Sequence, residues 1–168
     1  ISVKEFREIN SKLQKNKIII YPQSKNFHRK IYYPNFNISY PMSMPKYLIP
    51  RPYFINLKMI KTKLKTEGIL IWNNAHVAYI LNLRSFELSN STKPFAGLFI
   101  PKKNIKPILI TNNLNLKKIS KLNINFNIFG EEKFIKFLKL LKFKNIETNY
   151  EFLNLYMYIK LSKFLNLS

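Results

Sequence analysis

Few residues in this chain could perform acid–base or metal chemistry. The acidic residues are all glutamates, at positions 5, 8, 67, 87, 131, 132, 147 and 151, and aspartate and cysteine are absent. His28 and His76 are the only histidines, and a proline-rich stretch separates them with no second ligand at metal-binding spacing. Without cysteine, disulfides and thiolate nucleophiles are excluded, which agrees with a reducing compartment. Gly68, Gly97 and Gly130 are isolated, so no glycine-rich loop can cradle a phosphate. The adjacent pair Glu131-Glu132 suggests a two-carboxylate site. Neighbouring helical residues point about 100° apart, however, and carboxylates in a first helical turn are explained by the helix dipole. The expectation is a chain with no catalytic residue and no metal site of its own.

Twenty-nine Lys and Arg against 8 acidic residues leave a net charge of +21, which predicts attraction to polyanions. The basic residues are mostly lysines, are spread along most of the chain, and accompany an excess of Asn, Ile, Phe and Tyr with only 3 Gly. An AT-rich genome imposes that joint bias on a neutral surface. A nucleic-acid site would be better marked by clustered arginines interleaved with exposed aromatics. With 46% hydrophobic residues in regular patterns, 168 residues suit one domain, or one domain plus a piece of a neighbour, with a real core. No apolar run approaches the ~20 residues that span a membrane, and Ile1 to Gln14 has no signal-peptide core. The start at Ile1 suggests a fragment or a processed product.

The elements that position these residues alternate between helix and strand. Ser2 and Glu5 have capping-box spacing ahead of a helix to about Gln14, with Val3, Phe6, Ile9 and Leu13 at helical intervals. Lys17 to Tyr21 reads as a short strand. Prolines at 22, 34, 41, 45, 50 and 52 then enforce an extended connector. Tyr53 to Thr66 reads as a helix with Phe54, Leu57, Ile60 and Leu64 inward and Gly68 as its C-cap. Ile69 to Trp72, Ala96 to Ile100 and Lys106 to Thr111 read as strands, the first two too apolar for an exposed sheet face. Leu114 to Leu122 is a short helix, and Ile124 to Phe129 a strand of period two. Gly130 opens a helix with Phe134, Phe137, Leu138 and Leu141 inward, and Tyr150 to Leu165 reads as a final amphipathic helix. The expected fold is α/β, a mixed sheet flanked by helices. Residues 1–52 are expected to form the tail of a preceding domain plus connector, and 53–168 the α/β domain.

From Gly68 to Pro101 an apolar run breaks at Asn73-Asn74, continues through His76-Val77-Ala78-Tyr79-Ile80-Leu81-Asn82-Leu83-Arg84, and returns at Phe95 to Ile100. This order resembles the creatinase/prolidase-type amino-terminal domain of long, three-domain Xaa-Pro aminopeptidases P. There a strand and turn lead to a short helix reading roughly Ile-Ala-Trp-Leu-Leu-Asn-Ile-Arg-Gly, then a polar loop, a proline and another strand. The family glycine is Ser85 here, and its Ser-Asp pair is Phe86-Glu87. Asn26-Phe27-His28-Arg29-Lys30-Ile31-Tyr32 is similar to the family's Asn-Leu-Ile-Asp-x-Ile-Trp segment, with Arg29 in place of its aspartate. The resemblance covers about Asn26 to Leu141 and implies a creatinase-N-like fold.

The resemblance further implies a non-catalytic domain that shapes substrate access and dimerisation of a metal-dependent, pita-bread-type peptidase domain, in the same chain or another, acting on proline-containing peptides. In that family two Asp, one His and two Glu hold two divalent metals, a set a chain without aspartate cannot supply. The expected cofactor is therefore none on this chain, with a divalent metal implied for the absent catalytic domain. Partners implied are that peptidase domain and a homodimer, with no membrane; the implied location is cytoplasmic or organellar. Arg84 matches the family arginine opening a loop on the active-site side, where it would bind substrate by pairing with a carboxylate or carbonyl. Its other reading is a cap on the carbonyls ending the short helix. His76 reads as a helix-start residue, and Trp72 and Tyr79 as core packing, with the lining of a pocket as the other reading of both. Two alternatives stand beside this assignment: a basic RNA-binding or interaction protein from an AT-rich genome, and a truncated, non-enzymatic paralogue.

Overall fold

The computed structural model describes residues 2–14, 42–43, 49, 51–84, 96–111 and 125–168. The expected strand at 17–21, most of the proline connector, the 26–32 motif with His28 and Arg29, the loop at Ser85 to Glu87 and the helix at 114–122 lie outside these residues. Described elements in chain order are α1 (Val3–Gln14), β1 (Met42–Ser43), α2 (Tyr53–Lys63), β2 (Gly68–Ile71), α3 (Asn74–Leu81), β3 (Leu83–Arg84), β4 (Gly97–Pro101), β5 (Ile108–Ile110), β6 (Asn127–Phe129), α4 (Glu131–Leu140), β7 (Asn145–Thr148), α5 (Leu155–Leu161) and β8 (Asn166–Leu167).

Six strands form one mixed sheet in the order β6-β5-β4-β2-β7-β8, and β1 pairs with β3 as a separate two-stranded ladder. β4 runs antiparallel to β2 and β5, whereas β2–β7, β5–β6 and β7–β8 are parallel. Alternating residues of the central strands feed two cores. On one face, Leu70, Phe99, Ile108 and Ile110 pack with Val3 of α1, Phe134 and Leu138 of α4, and Met157 and Leu161 of α5. On the other, Leu98, Ile100 and Leu109 pack with Leu57 of α2 and with Val77, Ile80 and Leu81 of α3. This is the covered, mixed α/β sheet that the apolar strands predict. Phe99 sits at the centre of the first core, its ring 5.4 Å from those of Phe134 and Phe143. Full burial of such a side chain is worth about 1.5–3 kcal/mol.

Local chemistry explains most boundaries. Ser2 and Glu5 form the capping box: the Glu5 N–H donates to Ser2 Oγ at 3.2 Å, and the Ser2 N–H to Glu5 Oε2 at 2.8 Å. Bonding from the Ser2 backbone N–H, and then from the Ser2 side chain, holds the Glu5 carboxyl below its ordinary pKa. α1 then lies along α5, with Val3 buried and its N–H on the Leu153 carbonyl. α4 begins at Gly130 with Glu131 and Glu132 in its first turn. It buries Phe134 and Leu138 as expected, but leaves Leu141 36% exposed.

Three expectations are corrected. α2 stops at Lys63, because Leu64 turns to extended backbone (φ −65°, ψ 127°) and inserts in the core. Gly68 is therefore no C-cap. It opens β2, where a Cβ would meet the Phe99 ring at 2.8 Å, so close packing selects glycine. Phe54, expected inward on α2, is 60% exposed, because Asn56 and Leu57 take the buried side and Asn56 Nδ2 donates to the Ile80 carbonyl. Finally, the 150–165 helix shrinks to α5. Asn154 caps the new start by accepting the Met157 N–H at 2.7 Å, and the chain closes with β8 beside β7.

Candidate functional site

The C-terminal end of the parallel pair β2 and β7 carries the most distinctive surface, a position where open α/β sheets commonly form crevices. β2 ends at Ile71, and Trp72 follows. Asn73 then turns the chain into α3 by accepting the N–H groups of Ala75 (2.8 Å) and His76 (3.1 Å) on its side-chain oxygen. This cap fixes the direction of α3 and hence of His76 and Tyr79. Directly after β7, Asn149 plays the matching part. Its Oδ1 accepts the Glu151 N–H at 2.9 Å and its carbonyl the N–H groups of Phe152 and Leu153, so Phe152 is brought back over the sheet end.

Trp72 and Phe152 wall two clefts of about 300 Å³ each. The first is completed by Asn73, His76, Tyr79 and Asn149 over a floor of β2 side chains. The His76 and Phe152 rings meet edge to face at 6.0 Å. The second is bounded by polar groups of Ser2, Asn74, Thr111, Glu131 and Asn154. Trp72 reaches this position because Gly97 opposes it: a Cβ there would stand 2.6 Å from the indole ring. A larger opening of about 550 Å³ lies between α1 and the end of β7, where the Arg7 guanidinium stacks at 5.1 Å over Tyr150 and 5.6 Å over Tyr158.

These groups can bind but are poorly equipped to react. Aromatic walls with amides at the rim suit a flat or apolar side chain flanked by peptide groups. Among the described residues there is no group of three or more His, Cys, Asp or Glu able to hold a metal. His76 stands exposed in the first turn of α3, as expected of a helix-start residue. The expected core role of Tyr79 is corrected. It is 64% exposed on the outer side of α3, because Val77, Ala78, Ile80 and Leu81 fill the inward positions. Trp72 is half-buried against the first core while lining both clefts. Phe152 was missed by sequence reasoning, since only the fold returns it to a site 80 residues earlier in the chain.

Arg84 is placed elsewhere, in the β1–β3 ladder opposite Met42. It is not among the residues lining either aromatic cleft. Its Nη1 donates to the Leu83 carbonyl at 2.9 Å. The end of α3 is closed by the Asn82 N–H on the Ala78 and Tyr79 carbonyls, with Asn82 left-handed (φ 53°) and its Nδ2 on the Arg51 carbonyl.

This architecture is the creatinase/prolidase amino-terminal fold. X-prolyl aminopeptidase of Caenorhabditis elegans, described as a cytosolic enzyme with a di-nuclear active site, superposes with a TM-score of 0.77 and 11% identity, covering 99% of this chain and 29% of that one. The creatinase/prolidase N-terminal domain of an X-Pro dipeptidase from Streptococcus pyogenes gives 0.50 and 19% identity, over 68% of this chain and 99% of that one. A proline dipeptidase of Streptococcus agalactiae gives 0.51 and 17% identity, over 68% and 93%. The chain thus spans under a third of the nematode enzyme and most of the two streptococcal chains. No protein-family model and no curated protein matches the sequence.

Proposed function

We propose that this chain is the non-catalytic, amino-terminal-type domain of an Xaa-Pro aminopeptidase-related protein, working with a peptidase domain that holds the metals and performs hydrolysis. The observation that carries this reading is the likeness to the nematode enzyme along 99% of the chain, in a sequence without aspartate. In this role the domain walls one side of the substrate groove. The aromatic clefts beside Trp72 suit a prolyl ring or an apolar residue of the peptide, and Arg84 offers a two-pronged donor for a carboxylate or carbonyl. The divalent metal belongs to the peptidase domain. Homodimerisation would run mainly through that domain, because a net charge of +21 opposes direct pairing of two copies of this one.

The test starts from the transcript on both sides of this segment. An open reading frame leading into ordered Asp, Asp, His, Glu and Glu ligands supports the reading, and Xaa-Pro cleavage by the whole product then becomes the assay. The 168-residue chain alone should release no amino-terminal residue from an Xaa-Pro peptide. In the whole product, Arg84→Ala should raise KM without unfolding the protein; unchanged kinetics would remove Arg84 from the substrate role.

A further inference from the structure

Strand directions separate two ends of the sheet. Gly68 of β2 lies opposite Pro101 of β4, and Ile108 of β5 lies beside Asn127 of β6, at the end remote from the aromatic clefts. Among the loops that emerge there are three of interest: residues 64–67 between α2 and β2, 102–107 between β4 and β5, and 141–144 between α4 and β7. With the last turn of α2 they carry eight lysines, at 61, 63, 65, 102, 103, 106, 142 and 144. Among the described residues the acidic ones at this end are Glu67 and Glu147, and both are committed. Glu67 Oε2 accepts the N–H groups of Lys144 (2.6 Å) and Asn145 (2.9 Å), while Lys103 Nζ stands 3.9 Å from its other oxygen. Glu147 Oε1 accepts the N–H groups of Lys65 and Thr66. These bonds draw the three loops together, so lysines distant in sequence form one continuous pole. Lys61 belongs to it through its bond to the Ile105 carbonyl at 3.3 Å.

We propose that this lysine pole binds the phosphodiester backbone of nucleic acid. The loops leave a polar, cationic surface: Leu64, Pro107 and Phe143 are buried, and Ile105 is half-buried. Such a surface offers phosphates many point charges, whereas the exposed leucines at this end among the described residues are Leu140 and Leu141, where α4 passes into the 141–144 loop, a pair too small to anchor a bilayer. Phe143, under the Lys103 ammonium, is only 2% exposed, so no base can stack on it. Binding is therefore to the backbone, indifferent to base sequence and strongly salt-dependent.

Fluorescence anisotropy with a labelled RNA duplex, its single strand and the matching DNA duplex tests this on the full chain. One variant carries Lys63→Gln, Lys65→Gln, Lys102→Gln and Lys106→Gln, all exposed positions of the pole. A second has the same change in charge away from it, with Lys4→Gln, Lys12→Gln, Lys133→Gln and Lys136→Gln. The pole variant should weaken binding roughly tenfold or more and reduce the slope of log K against log salt by about 3, with the second variant close to the parent. Equal losses in the two variants would overturn the proposal. So would binding no tighter than that of an unrelated protein of equal net charge. Preference for phosphatidylserine vesicles over RNA, abolished by Leu140→Ser, would assign the pole to a membrane and overturn it too.

Discussion

Lys142 adopts a left-handed conformation with φ of 52° directly after α4. Its N–H bonds the Lys139 carbonyl and the next N–H, of Phe143, bonds the Leu138 carbonyl, the two bonds of a Schellman turn. Glycine takes this position without steric cost, whereas a side chain with a Cβ pays about 1 kcal/mol. Lys142→Gly is thus expected to stabilise the fold by about 0.5–1 kcal/mol, read as a higher urea midpoint at an unchanged slope. A lower midpoint would mean that the lysine side chain contributes more than its backbone strain costs. The sequence hid this turn, because lysine is not a C-cap signal. It did show a helix starting after Asn73-Asn74, and the structure makes Asn73 the cap of that helix. Trp72 was similarly visible as a large residue at a strand end, but nothing local revealed that Gly97 exists to make room for it.

Glu67 and Glu147 join elements that the sequence shows only separately. Each carboxylate reaches across to the N–H groups opening the other's strand, so β2 and β7 are fastened at their starts by a reciprocal pair of charged acceptors. Bonding from the Asn145 and Lys144 N–H groups holds the Glu67 carboxyl below its usual pKa. A group depressed in the folded state stabilises fully above its unfolded pKa of about 4.3, and loses that contribution as pH falls through the lower folded value. The stability difference between the parent and Glu67→Gln should therefore shrink from about pH 5 downward in thermal melts; a difference constant with pH contradicts it. The helices of strong period, α1 and α4, and the apolar strands β2 and β4 were legible. β7 and β8 were not, because Asn145–Thr148 is short and half polar and Asn166–Leu167 is shorter still. Their pairing depends on partners elsewhere in the chain. The reading of 150–165 as one helix failed for a related reason: its apolar residues continue in helical register across the turn that Asn149 and Asn154 impose.

A charge of +21 on 168 residues acts on the molecule as a whole. Pairs such as Lys4–Glu151 at 3.4 Å are exposed and contribute little, and lysines resting on rings, such as Lys133 over Phe129 at 4.7 Å, leave their charge in place. Self-repulsion opposes the compact state, and salt screens it within about 10 Å at 0.1 M. Added sodium chloride should accordingly raise the urea midpoint steeply up to about 0.1 M and more gently beyond. A flat response would show that the lysines are already neutralised in pairs. The charge is unevenly placed: Glu5, Glu131, Glu132 and Glu151 gather near the cleft end, and the lysine loops form the other. Trp72 stands alone at the boundary of both clefts as the only tryptophan in the sequence. The domain thus carries a built-in optical gauge: any peptide, loop or neighbouring domain that covers the indole changes its emission, with no label attached and no second tryptophan in the chain to compete.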